Sequence, residues 1–261
     1  MAPPKYLAQA NQLIANLPEE SREWFLEACE LVNLQRQDVL SRSEQLSEYA
    51  YFPLDSYVAV FVTMESSNDI QVDLTGNEGM VNVSLVLGVR AATLTNTVLG
   101  AGRAFRIHHA ALQKLLDVDP FLQRMLKLYV NLRLDQLARN MACVSSHTVE
   151  QRLARWLLMV KDRAHSNELS LTQEVLSRML GVRRERVTLA ASALQKKELI
   201  SYSRGDLLLV DQPNLEAAAC GCYESDLAFY ERAMGSLTLL QNFDPMNNNA
   251  LRKQTESLLT K

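Results

Sequence analysis

Leu171-Thr172-Gln173-Glu174-Val175-Leu176-Ser177-Arg178-Met179-Leu180-Gly181-Val182-Arg183-Arg184-Glu185-Arg186-Val187-Thr188 is the stretch that decides the fold. Thr172 is placed to cap a short helix, and Glu174 suits its positive end. Val175, Leu176, Met179 and Leu180 form its apolar face, and Gly181 breaks it. A second helix runs over about Arg183–Lys197, with Val187, Ala190, Ala191 and Leu194 at helical spacing toward a core. Two helices joined by a short turn containing Gly are a helix-turn-helix. Beyond it, Leu199–Ser203 and Asp206–Val210 are β-prone runs joined through Arg204-Gly205, where Gly can take a positive φ. Helix, turn, helix and hairpin make a winged helix.

On a helical wheel the second helix points Glu185, Leu189 and Ser192 outward, with Arg184 and Arg186 on the flanks. Arg183, Arg184 and Arg186 crowd its first turn, where the dipole is positive, and each costs about 0.3–1 kcal/mol there relative to an acidic residue. An anion supplied from outside relieves that repulsion, and a DNA phosphate backbone fits. Leu171–Gly205 holds seven Lys/Arg against three Glu, a net of +4, which leaves −7 on the rest of the chain. Charge gathered on one module is what a DNA reader requires. An arginine-rich face used for protein contact is the alternative.

The whole chain has 261 residues, 48% hydrophobic and 22% charged, with 30 acidic and 27 basic side chains. That composition is too apolar for disorder and too mixed for a fibre. A net charge of −3 argues against coating nucleic acid wholesale and leaves room for a local basic patch. No apolar run approaches the roughly 18 residues of a membrane span. The longest lies near Tyr57–Met64, and Met1–Leu17 lacks the pattern of a signal peptide. Four cysteines are no disulfide framework and read as reduced thiols in a cytoplasm.

Upstream, Pro18 opens an amphipathic stretch, Glu19–Cys29, carrying Trp24, Phe25 and Leu26. Short β-rich runs follow at Ala50–Pro53, Tyr57–Met64, Ile70–Leu74, Leu94–Leu99 and Ala104–Ile107. Turn clusters such as Ser66-Ser67-Asn68-Asp69 and Gly76-Asn77-Glu78-Gly79 separate them, which predicts an antiparallel roll or sandwich. His108–Asp117 reads as helical. Phe121–Cys143 is a long helix whose apolar residues (Leu122, Met125, Leu126, Tyr129, Val130, Leu132, Leu137, Met141) cover more than one stripe. A second stripe suits a partner helix in a dimer, or burial inside one chain. Thr148–Val160 is helical again, with Leu153, Trp156 and Leu157 inward, and Arg163–Ser170 is a polar linker. A last helix is expected at Leu227–Met234, before an Asn-rich tail at Asn242–Asn249.

Thr172-Gln173-Glu174, Gly181 through Thr188, Leu194-Gln195, Leu199-Ile200 and Arg204-Gly205 resemble the C-terminal domain of the cyclic-AMP receptor protein/fumarate-nitrate regulator (CRP/FNR) family. The order of parts is similar too, over about residues 12–223. The resemblance implies an α+β fold: an N-terminal antiparallel β-roll of cyclic-nucleotide-binding type, a long dimerisation helix and a C-terminal winged helix-turn-helix. Its divisions fall at 12–118, 119–144 and 145–223, leaving 224–261 as a C-terminal extension. It implies a cytoplasmic homodimeric transcription regulator rather than an enzyme. The partners implied are double-stranded DNA at a near-palindromic operator, RNA polymerase and an unidentified small-molecule effector, with no membrane. Base contacts fall on Arg184, Glu185 and Thr188, and phosphate contacts on Thr172, Gln173, Arg183, Arg186 and Arg204. Arginine can pair bidentately with guanine and glutamate can accept from cytosine. One departure from the family pattern is Leu189, which stands where a second base-reading arginine is expected.

Carry-over fails in the sensor. The Gly-Glu and Arg-Ser or Arg-Thr pairs of cyclic-nucleotide binders fall on Met80-Val81 and Ala91-Ala92, with Arg90 and Thr93 displaced, so tight cyclic-AMP binding is not expected. Only Cys29 stands where an iron–sulfur branch has several cysteines. His108-His109 is read as solvent-facing rather than as a haem or metal pair, and no cofactor or metal is expected. Cys220-Gly221-Cys222 has no second cysteine pair to complete a zinc site, and is read as small side chains packing the end of the domain. Nucleophile-elbow, zinc-protease, P-loop and dinucleotide motifs are absent from the sequence. A degenerate sensor that binds a protein through its winged helix stays open beside the DNA reading.

Overall fold

The computed structural model describes residues 5–63 and 69–241. The chain divides into two units, one of Met1–Val58, Thr75–Leu134 and the chain from Tyr230, the other of Ala59–Leu74 and Asp135–Phe229. In order, the elements are α1 (Gln12–Ala15), α2 (Glu19–Glu27), β1 (Cys29–Leu34), β2 (Val39–Ser41), β3 (Tyr49–Pro53), β4 (Tyr57–Thr63), β5 (Asp69–Thr75), β6 (Thr95–Gly100), β7 (Gly102–His108), α3 (His109–Val118) and α4 (Pro120–Ser146). Then come α5 (Val149–Ala164), β8 (Glu168–Ser170), α6 (Gln173–Leu180), α7 (Arg184–Lys196), β9 (Ile200–Ser203), β10 (Asp206–Leu209), α8 (Gln212–Ala218) and α9 (Cys222–Gln241).

In the first unit β7 lies between β1 and β3 and is antiparallel to both. The registers run from Cys29↔Ile107 to Leu34↔Gly102 and from Tyr49↔His108 to Pro53↔Ala104. β2 pairs antiparallel with β6. Aromatic and branched residues of the strands, α2 and a loop supply the core: Phe25 of α2 meets Phe52 edge-on at 4.9 Å, and Leu34, Tyr51, Val58, Val81, Val98 and Ala104 pack as one buried cluster. Two buried polar side chains of this interior, Asn11 and Tyr129, are matched. Asn11 accepts the Leu13 and Ile14 N–H groups and donates to the carbonyls of Pro53 and Gly79, both at 2.9 Å. The buried Tyr129 hydroxyl accepts the Met80 N–H at 3.1 Å. A Cβ on Gly79 would lie 1.9 Å from that hydroxyl, so only glycine fits.

Two apolar stripes run along α4. Leu122, Met125, Leu126, Tyr129 and Leu132 are buried, while Leu134, Met141 and Val144 are 62%, 75% and 57% exposed.

The second unit holds the winged helix. α5 opens on a capping box in which Thr148 and Gln151 satisfy each other's backbone N–H groups. It buries Leu153, Trp156 and Leu157 as its periodicity predicts, together with Arg155, whose guanidinium bonds Asp226 and Asn140. α6 and α7 follow, and β10 lies between β8 and β9 in an antiparallel sheet. Hydrogen bonds from the side chain and backbone N–H of Asn214 hold the Asp211 carboxyl below its ordinary pKa, which suits it to cap α8.

Several sequence expectations need correcting. The Glu19–Cys29 stretch is helical only to Glu27, and Cys29 opens β1 instead. β1 and β2 were not anticipated because neither alternates cleanly: the six positions of β1 read buried, exposed, exposed, half-buried, exposed, buried. The Arg163–Ser170 linker contains the end of α5 and all of β8, whose one buried residue, Leu169, is flanked by polar neighbours. α9 is far longer than Leu227–Met234. Met64, the Ser66–Asn68 part of the turn cluster and Asn242–Asn249 lie outside the described residues. Of the histidine pair, His108 is the N-cap of α3 and accepts the Ala110 N–H, whereas His109 is only 20% exposed at its side chain. Cys220-Gly221-Cys222 is not isolated: Cys143 Sγ lies 3.5 Å from Cys220 Sγ, and His147 Nδ1 lies 3.7 Å from Cys222 Sγ. The second pair is a cysteine and a histidine at the end of α4, which a search for cysteine pairs passes over.

Candidate nucleic-acid interface

Local chemistry sets the pose of α7. Thr172 Oγ1 accepts the Val175 N–H at 3.3 Å and caps α6. Gly181 ends that helix at φ +62°, a conformation that glycine adopts without strain. Ser177 Oγ donates to the Val182 carbonyl at 2.5 Å and holds the turn. Val187, Ala190, Ala191 and Leu194 are buried, and α7 packs against α5. The hairpin turns at Arg204 (φ +53°) and Gly205 (φ +96°), the double positive φ that matches strand twist. Its strands are tied back to the start of α6 by Leu171 N–H to Gly205 O at 2.6 Å and Tyr202 O–H to Leu171 O at 2.8 Å.

With the apolar side of α7 turned inward, Arg183, Arg184, Glu185, Arg186 and Thr188 are all exposed, as are Thr172, Gln173 and Arg204. The eight residues anticipated from sequence therefore share the surface of one unit. Arg183 caps α7 without a side-chain hydrogen bond, so the helix N-terminus receives no acidic cap. Arg184 Nη2 sits 2.6 Å from Glu174 Oε2, both groups more than half exposed, a pair worth about 0–1 kcal/mol. Releasing Arg184 to another acceptor is therefore cheap. Thr188 Oγ1 lies 3.0 Å from the Arg184 carbonyl and 3.2 Å from Gln173 Oε1, two acceptors that share its one hydroxyl proton.

Two features went unread in the sequence. Arg178 pairs with Asp69 at 2.9 Å and lies 5.0 Å over the Phe61 ring, contacts between residues more than a hundred positions apart. Asp69 and Ile70 join the first turn of α7 in lining an open groove of about 750 Å³. Leu189 is 70% exposed in the middle of the outer face, the most exposed apolar side chain on α7.

In the first unit, residues at or beside the positions aligned with a cyclic nucleotide's contacts are otherwise engaged. Met80 and Val81 are buried core residues, and Arg90 is paired with Glu48. Among the described residues, no helix is long and apolar enough to cross a membrane.

Residues 151–218 match the model of the Crp-like helix-turn-helix domain. No curated protein matches the chain. Among solved structures, FixK2 from Bradyrhizobium japonicum is similar at 15% identity and a TM-score of 0.63, over 74% of this chain and 98% of that one. A CRP/FNR-family transcriptional regulator from Thermus thermophilus gives 20% identity and 0.61, over 76% and 100%. The c-di-GMP-responsive global regulator CLP from Xanthomonas campestris gives 15% and 0.61, over 74% and 99%. At these identities the likeness is one of fold. Residues 151–218 thus match a Crp-like helix-turn-helix domain, carried on a chain with the fold of CRP/FNR-type transcription regulators: a β-sheet unit, a long helix and a helix-turn-helix domain.

Proposed function

We propose that the chain regulates transcription from the cytoplasm as a homodimer, placing α7 of each subunit in a major groove of a near-palindromic operator. The observation that carries this reading is the run of exposed charge from Arg183 to Arg186 at an N-terminus with no side-chain cap. Arg184 and Glu185 would read base edges, Arg184 as a bidentate donor to guanine and Glu185 as an acceptor from cytosine, and Thr188 would assist. Leu189, apolar and outward, suits a thymine methyl, so this operator would differ at that position from one read by a second arginine. Thr172, Gln173, Arg183, Arg186 and Arg204 would bind phosphates and set the register.

The exposed stripe of α4 supports the dimer. Leu134, Met141 and Val144 recur at seven and three residues, the spacing of a coiled-coil seam. Two-fold symmetry would space the half-sites about 34–36 Å apart. The filled interior around Val81 and the Arg90–Glu48 pair favour an effector other than cyclic AMP. RNA polymerase is the protein partner such a regulator would meet on DNA. Nothing in this reading calls for catalysis.

The test uses full-length protein on selected and on random duplexes. Arg184→Ala should lose preference for the selected site, whereas Arg186→Ala should weaken binding to both. Equal losses on both duplexes for both variants contradict these roles. Met141→Glu should shift the protein toward monomer in sedimentation and leave its secondary structure unchanged; an unaltered dimer contradicts the α4 seam.

A further inference from the structure

Four side chains outside the recognition surface converge within the second unit. Cys143 lies in the last turn of α4, and His147 follows four residues on, so both fall on one face. Cys220 sits between α8 and α9, and Cys222 is the first residue of α9. The three sulfurs and one imidazole nitrogen all lie within 4.8 Å of one another. Cys143 and Cys220 are buried, and the other two are half-buried.

The geometry points to a metal site: we infer that Cys143, His147, Cys220 and Cys222 bind one Zn²⁺ in a closed tetrahedral Cys3His shell. Zinc bonds of about 2.3 Å to sulfur and 2.0–2.1 Å to nitrogen put tetrahedral ligand atoms about 3.5–3.8 Å apart. The Sγ–Sγ separation of 3.5 Å and the Sγ–Nδ1 separation of 3.7 Å fall on that scale. Cys143 and Cys220 are free thiols, their sulfurs 3.5 Å apart where a disulfide holds them at about 2.0 Å. An iron–sulfur cluster spreads its thiolates over several irons, farther apart than these atoms lie. Three thiolates and an imidazole are a soft donor set that selects zinc over magnesium or calcium, and four protein ligands leave no open position for catalysis.

The surroundings suit the charge. Three thiolates and a neutral imidazole around Zn²⁺ carry a net negative charge, which needs compensation when buried. The Arg152 and Arg155 guanidiniums lie close enough to Cys143 and Cys220 to interact electrostatically with both. Among the described residues, Arg155 Nε is buried without a hydrogen-bond partner. The Cys222 backbone N–H donates to the Cys220 sulfur, an outer hydrogen bond of the kind that orients a metal ligand. The ion would tie the α8–α9 junction to the α4–α5 junction, next to the helix on which α7 packs. The site stands whether or not α7 reads DNA.

The experiment is metal analysis of full-length protein purified anaerobically without added metal. Zinc should copurify at one equivalent per chain. Cobalt substitution should give intense tetrahedral ligand-field bands with a sulfur-to-cobalt charge-transfer band. Chelation should lower the wild-type melting temperature by about 10 °C, since metal-binding energy is folding energy. Cys220→Ser should reduce bound zinc to a trace. Cys29→Ser, a buried thiol outside the cluster, and His147→Cys, which keeps four ligands, should each retain it. Wild-type protein that carries no zinc and takes up none on dialysis overturns the site. So does six-coordinate cobalt, or a Cys143–Cys220 disulfide in the anaerobic preparation. A Cys220→Ser protein that keeps its zinc overturns it as well.

Discussion

The interior around Gly79 and the first turn of α7 are built on opposite principles. Around Gly79, the side chains of Asn11 and Tyr129 meet backbone partners at hydrogen-bond distance, and no space is left for one more carbon. In the first turn of α7, four charged side chains in a row face solvent, and an exposed pair with Glu174 is the contact that holds Arg184. Packing explains every residue in the first place and none of the arginines in the second. Where stability does not account for a residue type, a binding partner is the economical explanation.

That contrast is sharpened by substitutions that separate stability from binding. Gly79→Ala should have the largest effect, about 3 kcal/mol of lost stability, because the new Cβ must displace a buried tyrosine and its hydrogen bond to Met80. Urea titration checks it, and a loss under about 1 kcal/mol would mean that the interior yields more readily than its packing implies. Arg184→Ala should cost about 1–3 kcal/mol of discrimination between selected and random DNA, while stability stays within about 0.5 kcal/mol of wild type. Competition binding and thermal melting on the same preparations measure the two sides. Arg186→Ala should act least on preference: binding falls on all sequences, and the slope of log affinity against log salt shrinks by about one. A large stability loss from either arginine variant would break the contrast.

The legible and illegible parts of the molecule divide by sequence distance. The winged helix was readable because its signals are contiguous: the Thr172 cap, the Gly181 stop, the inward row Val187, Ala190, Ala191 and Leu194, and the Arg204-Gly205 turn all act within a few residues. β7 was readable from its branched and aromatic residues, whereas β1 was not, because its partner β7 lies 68–78 residues away and its own pattern does not alternate. β8 is three residues long and takes its identity from pairing with β10. Asp69 meets Arg178, and Cys143 and His147 meet Cys220 and Cys222, only because the fold brings them together. A lone Cys-Gly-Cys carries no geometry until the end of α4 is beside it. The role of Leu189 was half legible: its outward position followed from the wheel, but its 70% exposure shows that none of the described residues covers it.

The central claim is that the arginine-rich turn of α7 meets a duplex. Its most direct measurement is selection of bound fragments from sheared genomic DNA, run in parallel with wild-type protein and Arg184→Ala. Wild type should enrich one two-fold-related sequence, with half-sites about 34–36 Å apart. Arg184→Ala should relax the preference at a single symmetric base-pair position and leave the others. Enrichment of no common sequence by wild type, or an identical sequence from both proteins, would contradict it.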